Sequence, residues 1–276
     1  MRLLDLFCGA GGAGMGYHRA GFEVVGVDIN AQPHYPFEFH QADALEFCAE
    51  HGAEFDVIHA SPPCQHYTGM RRITESRFGA CKTEHPDLIA ETRAALIAAG
   101  KIYIIENVQN SPLQTQVILC GASFGLKHLA RHRHFESNWL FLGAPKCSHI
   151  RNEYTIGVYG QRPDGRRVSY RQHRLCRVAN SIEEASQVMG IDWMTWDEIR
   201  EAVPPVYTEW LGTQIITRLR PNTASSLTWL SAGETENKHA QASLPANAIH
   251  APATQLKHDG YTEMKGANSN DDVYEL

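Results

Sequence analysis

A cysteine follows two prolines in the stretch Ala60-Ser61-Pro62-Pro63-Cys64-Gln65. Two prolines cannot lie inside a helix or a central strand, so they stiffen a loop, and Cys64 rides on it. A cysteine kept for packing needs no such support, whereas a nucleophile must be held near its attack geometry. A carboxyl group closes another apolar run: KIYIIENV (101–108) ends in Glu106 and Asn107. The first apolar run opens into DLFCGAGGAGMG, where Gly9, Gly11 and Gly14 fit G-x-G-x-x-G, and Asp28 closes the next run about 20 residues on. Glycines there allow a tight turn and a close backbone approach, and the following helix offers its N-terminus to a ligand. The pattern points to an adenosine-bearing ligand, of which NAD is only one. Asp43, in HQADALEF, stands where a third strand would end. It could accept from an adenine amino group or cap a helix starting at Ala44; taken alone, the residue favours the cap.

The elements that must position these groups are legible as an alternation. Residues 2–7, 22–28, 55–61 and 101–108 read as buried strands, and 12–20, 43–51 and 86–99 as helices. Near-continuous apolar strands alternating with helices give an α/β chain: a Rossmann-like, doubly wound, mostly parallel sheet covered on both faces. Ligands on such sheets bind beyond the carboxyl ends of the strands, so thiol, carboxyl group and glycine loop are expected to share one crevice. After Asn138 the pattern changes. Residues 139–179 are rich in Gly, Arg and His, with YTIGVYG as a strand and RPDG as a turn, and read as a small irregular or β-rich insert. Helical patterns return at 181–190 and 204–219, the first with Ser181 as N-cap and Glu184 completing a capping box. Residues 220–276 have few apolar anchors and are expected to be a disordered tail. No internal repeat is present.

Composition narrows the class. The chain has 276 residues, 43% hydrophobic and 20% charged, as an ordinary globular protein does. No apolar run approaches the roughly 18 residues that span a bilayer, and no signal peptide is expected. Seven scattered cysteines read as reduced thiols in a cytoplasmic protein. The net charge of −6 argues against a generic polyanion binder, yet residues 127–177 carry 11 Lys and Arg against three acids. Such a basic segment in an acidic chain suggests a local phosphate-facing surface. Within it Cys147, His149, His173 and Cys176 offer two thiols and two imidazoles, the makings of a tetrahedral zinc site. Their spacing is not one of the tight zinc patterns, and no metal is assigned from it.

In this order and at this spacing, DLFCGAGG, PPCQ, ENV and the Arg-x-Arg of RHRHF resemble the C5-cytosine-specific DNA methyltransferase family. The resemblance covers residues 1–138 and 180–219. It implies a catalytic domain from those two segments, with 139–179 as a small target-recognition insert. It implies S-adenosyl-L-methionine as methyl donor, held by Phe7, Gly9, Gly11, Asp28, Asp43 and Pro62; this displaces NAD and lifts Asp43 from cap to adenine contact. By the same resemblance Cys64 is the thiolate that adds to cytosine C6 and Glu106 gives a proton or hydrogen bond to N3. Asn107 places loop and base, and Arg131 and Arg133 hold the base or its phosphate. A base in duplex DNA would have to be flipped out to reach Cys64.

DNA is the expected partner ahead of RNA, although one subgroup with these motifs acts on tRNA. Two competing readings are an inactive nucleic-acid-binding relative and a nicotinamide oxidoreductase. The first leaves the intact Cys64, Glu106 and Arg133 without purpose; the second leaves Cys64 and Glu106 unexplained. A monomer is expected, with any restriction nuclease a separate protein. The chain departs from the family twice. Arg200 and Glu201 precede Ala202-Val203-Pro204 where Gly-Asn is usual, and the insert is short, so a short or relaxed target sequence is expected. Arg162, Arg166, Arg167, Arg171 and Arg174 are its candidates for phosphate or guanine contacts.

Overall fold

The computed structural model describes residues 1–67, 86–147, 154–160 and 176–220. Strands β1 (Arg2–Leu6), β2 (Glu23–Asp28), β3 (Glu38–Gln41), β4 (Val57–Ala60) and β5 (Ile102–Asn107) run parallel. β7 (His132–Ser137) lies antiparallel between β5 and β6 (Val117–Cys120), giving the order β3-β2-β1-β4-β5-β7-β6. The mostly parallel, doubly wound sheet expected from the sequence is present, with strands one to three residues shorter than the apolar runs. The antiparallel β6–β7 pair was not separated in the sequence reading, because its strands are short and partly polar.

Alternation along each strand divides the core in two. Leu3, Val24, Val57 and Ile104 pack with Tyr17 of α1 (Gly12–Ala20) and with Tyr207, Leu211 and Ile215 of a long final helix (Pro205–Leu219). On the other face Leu4, Leu6, Val25, Ile58 and Ile105 pack against Cys48 of α2 (Ala44–His51) and Leu96 of α3 (Ile89–Ala99). Small residues let α1 approach the final helix closely. A Cβ added at Gly16 would stand 2.0 Å from Thr208 Oγ1, and one at Gly12 would stand 2.5 Å from the Val203 carbonyl. Thr208 Oγ1 donates to the Ala13 carbonyl at 2.7 Å. This contact brings residues 202–204 against the start of the glycine loop.

Two short helices, α4 (Ile182–Met189) and α5 (Trp196–Ile199), precede the final helix, α6. Ser181 caps α4, accepting from the Glu184 amide at 3.2 Å. The expected return bond differs: the Glu184 carboxylate takes the Asn180 amide and pairs with Arg177, whose cation draws it away. A complete capping box forms instead at Thr195 and Glu198. In the insert, β8 (Thr155–Gly157) and β9 (Cys176–Val178) pair in parallel. Ile156 and Val158 share a cluster with Ala185, Met189, Trp196, Ile199 and, from the glycine loop, Ala10. So short a segment cannot bury a core of its own, and its apolar residues use that of α4 and α5. The five candidate arginines 162–174 and the expected tail lie outside the described residues. Among the described residues no helix is long and apolar enough to cross a membrane.

Candidate active site

The strand order reverses at β1: β2 and β3 lie to one side, β4 and β5 to the other. Such a switch point opens a crevice beyond the strand ends. Register pairs Leu6 with Ala60 and Ala60 with Ile105, so the next residues, Phe7, Ser61 and Glu106, stand in a row along its floor.

On one side lies the glycine loop. Phe7, Gly9 and Gly11 have φ of 56°, 48° and 86°, three left-handed residues within five. For Phe7 this conformation costs on the order of 1–3 kcal/mol and must be held by its surroundings. The loop is tied down by Cys8 N–H to Val27 O (3.1 Å), Gly9 N–H to Asp28 Oδ2 (3.1 Å) and Trp193 Nε1–H to Ala10 O (2.9 Å). A Cβ added at Gly9 would meet nothing within 4 Å, so the backbone there faces open space. Asp28 also accepts from the Asn30 amide through Oδ1 at 2.9 Å, and its oxygens retain lone pairs for further donors. Asp43 caps α2, Oδ1 accepting from Leu45 (2.8 Å) and Glu46 (3.0 Å). The Ala42 amide bonds the Asp28 carbonyl, so the two acids occupy one corner. Ile29, 65% exposed beside Asp28, adds an apolar face there that the sequence reading missed; its signal is an apolar residue directly after a strand-end acid.

On the other side are the thiol and the carboxyl group. Asn107 Nδ2 donates to the Pro62 carbonyl at 2.9 Å and pins the proline loop, and Cys64 stands half-buried beyond it. Burial pushes the Cys64 thiol above its ordinary value; Arg133 and Arg131 pull it down and Glu106 pushes it up. Glu106 is 5% exposed, and its Oε1 lies 3.0 Å from Arg133 Nε without the alignment of a hydrogen bond. Burial raises the Glu106 carboxyl more than Arg133, Arg131 and a hydrogen bond from Ser61 lower it.

The two arginines are used differently. Arg133 is aimed at Glu106. Arg131 is buried and donates to the carbonyls of Val158 (3.1 Å) and Arg200 (2.7 Å), tying the insert and the segment before Ala202 to the sheet. Burial, reinforced by Arg133, draws its guanidinium down to about 9.

A polar chain beneath the site was also missed. His59 is fully buried, with Tyr17 OH 3.1 Å from Nδ1 and Ser61 Oγ 2.9 Å from Nε2. Burial lowers its pKa to about 3, which keeps the ring neutral. Ser61 also hydrogen-bonds Glu106, so the chain runs Tyr17, His59, Ser61, Glu106. The visible signal was an imidazole inside an apolar run, followed by a serine ahead of the prolines. Of the four zinc candidates in the insert, His149, His173 and the Cys176 side chain lie outside the described residues.

Residues 1–113 match the family of C-5 cytosine-specific DNA methylases. Among solved structures, a prophage-encoded protein of E. coli described as a DNA modification methyltransferase is 15% identical. That likeness covers 80% of this chain and 99% of the other, with a TM-score of 0.50, and shows a shared fold. The Dnmt2 methyltransferase of S. pombe is 13% identical over 79% of this chain and 99% of its own, at a TM-score of 0.49. The EhMeth methyltransferase of Entamoeba histolytica is 15% identical over 79% and 98%, at 0.46. No curated protein matches the sequence.

Proposed function

We propose that this chain, whose residues 1–113 match the C-5 cytosine-specific DNA methylases, methylates cytosine C5 in DNA with S-adenosylmethionine as donor and Cys64 as nucleophile. The observation that carries the reading is the meeting of Cys64, Glu106 and Arg133 at the carboxyl ends of β4 and β5, beside a glycine loop with open space above it.

The donor's residues fit an adenosine ligand. Asp28 has acceptor capacity for ribose hydroxyls, Asp43 stands at the same corner for the adenine amino group, and Phe7 and Ile29 offer apolar faces to the ring. Backbone at Gly9 lets the ligand approach closely, whereas the Cβ side of Gly11 is packed against Pro36 and Tyr35, and Pro62 borders the same crevice. When bound, S-adenosylmethionine supplies an electrophilic methyl group.

The chain's own residues do the rest. Cytosine C5 is a poor nucleophile, and addition of the Cys64 thiolate to C6 makes the ring an enamine. Glu106, whose carboxyl burial pushes up, gives a proton or hydrogen bond to N3 as charge develops there. Arg133 holds the Glu106 carboxyl in place and lowers the cost of the thiolate. C5 takes the methyl group, a base removes the C5 proton, and the sulfur–C6 bond breaks to return the thiolate. Asn107 fixes the Pro62 carbonyl and hence the reach of the thiol. The basic segment, which no base-specific contact is needed to explain, meets phosphates.

The test is methyl transfer from tritiated S-adenosylmethionine to separate DNA and RNA substrates, with bases identified after digestion. 5-Methylcytosine in DNA is expected. Label confined to RNA would keep the chemistry and overturn the substrate.

A further inference from the structure

At the sheet's outer edge three side chains converge that methyl transfer does not use. Cys120 ends β6, His132 begins β7 as its register partner, and Cys147 comes from the chain beyond β7. Their Cys Sγ and imidazole nitrogen atoms all lie within 4.8 Å of one another. Cys147 Sγ is 3.5 Å from His132 Nε2. Zinc bonds of about 2.3 Å to sulfur and about 2.0–2.1 Å to nitrogen put a tetrahedral edge at about 3.5 Å.

The surroundings hold each group in place. Cys120 is buried, and its Sγ faces the Leu129 carbonyl at 3.7 Å. Ser123 Oγ donates to the Lys146 carbonyl at 2.9 Å, fixing the residue before Cys147. The same loop is tied to α6 where the Leu142 amide meets Gln214 Oε1 at 3.0 Å. Cys147 therefore reaches the cluster on an anchored loop, not on a free one.

We propose that Cys120, His132 and Cys147 form a zinc site. Soft thiolates with an imidazole select zinc over hard cations, and two thiolates with a neutral imidazole balance the charge of the dication. Each thiol gives its proton to solvent as its sulfur–zinc bond forms. Water takes the fourth position on the exposed side. The site differs from the set that sequence spacing alone suggested: Cys147 is shared, but its partners come from the β6–β7 edge. Its role is positional. His132 lies between Arg131 and Arg133, so the metal fixes the start of the strand from which Arg133 reaches Glu106, and clamps the first part of the insert to it.

The experiment uses the full chain purified without chelator, and its readout does not depend on methyl transfer. Zinc content is measured on the wild type, Cys147→Ser, Cys120→Ser and Cys64→Ser. Cobalt is then exchanged in and its tetrahedral and thiolate charge-transfer absorption recorded. A single metal per chain with a thiolate–cobalt band is expected in the wild type and in Cys64→Ser. Loss of both is expected in Cys147→Ser, an exposed position whose replacement leaves the core intact. A melting temperature that rises with zinc in the wild type but not in Cys147→Ser would agree. Metal-free wild type with no cobalt band, a band that persists in both cysteine variants, or a Cys120–Cys147 disulfide found by mass in freshly purified protein would overturn the proposal.

Discussion

The two sides of the crevice are built on different principles. The donor side is contiguous in sequence and held by backbone: Phe7 to Gly11 form the loop, and amides of Gly9 and Asn30 converge on Asp28. Its deepest ionisable group, Asp5, is fully buried and pushed up to about 8, so it sits there as a neutral acid bonded by Tyr35. The thiol side is assembled from three strands far apart in sequence and held by charge: Cys64, Glu106 and Arg131 are perturbed by one another and by the charge of Arg133 in a desolvated cluster. One side is a shape, the other an electrostatic balance. Substitutions on the first should therefore act on donor affinity and stability, and those on the second on rate and its pH dependence.

The largest effect should come from Cys64→Ser, which exchanges the thiol for a hydroxyl in the same place. Transfer is expected to fall by on the order of 10⁴-fold or more, with donor affinity by calorimetry unchanged. Glu106→Gln should cost about 10²–10³-fold and also change the form of the pH profile. The active state needs a thiolate and a carboxylic acid. In the wild type the product of those two fractions is constant between the Glu106 and Cys64 pKa values, both raised by burial, so kcat/KM is flat there. In Glu106→Gln only the thiolate fraction remains, and kcat/KM should climb about tenfold per pH unit up to the thiol's pKa.

The two arginines sharpen the contrast within the charged side itself. Arg133→Lys should lower kcat while leaving the melting temperature nearly unchanged, because the guanidinium charge 3.0 Å from Glu106 Oε1 is moved. Arg131→Lys should chiefly lower stability, by about 1–3 kcal/mol, since the carbonyls of Val158 and Arg200 lose a shared donor. Equal kinetic effects with no difference in stability would erase the distinction drawn between them.

On the donor side, Gly9→Ala should weaken donor binding with a stability cost of about 1–2 kcal/mol, because φ of 48° disfavours any Cβ even where there is room for one. The smallest effect on rate is expected for Asp5→Asn. A carboxyl raised from 3.8 to about 8 on folding favours the folded state only while the unfolded chain is also protonated, so its contribution is lost as pH rises from about 4 to about 8. Stability of the wild type should decline across that window, and the variant should flatten the decline in chemical denaturation.

What could be read from the sequence follows the same division. The glycine loop, its acid partners and the buried strands declare themselves over short spans, through backbone demands and apolar continuity. Cys64 and Glu106 could be read because one follows such a strand on a proline-stiffened loop and the other stands at the end of the next. Arg131 could not be separated from Arg133, since the two stand two residues apart and only the carbonyls of Val158 and Arg200, across the fold, divert the first. His59 and Ser61 were hidden because their meaning lies in partners across the sheet, Tyr17 and Glu106. Cys120 and His132 gave no signal of belonging with Cys147, because register between β6 and β7 brings them together and spacing does not.

The central claim is that Cys64 bonds to cytosine C6. It is tested most directly with a DNA substrate carrying 5-fluorocytosine, in which the C5 substituent cannot leave as a cation and the sulfur–C6 bond cannot be released. With S-adenosylmethionine present, the wild type should form a protein–DNA adduct that survives denaturation and maps by mass spectrometry to the peptide bearing Cys64, and Cys64→Ser should form none. Methylation of ordinary DNA without such an adduct, or an adduct that persists in Cys64→Ser, would contradict the assignment.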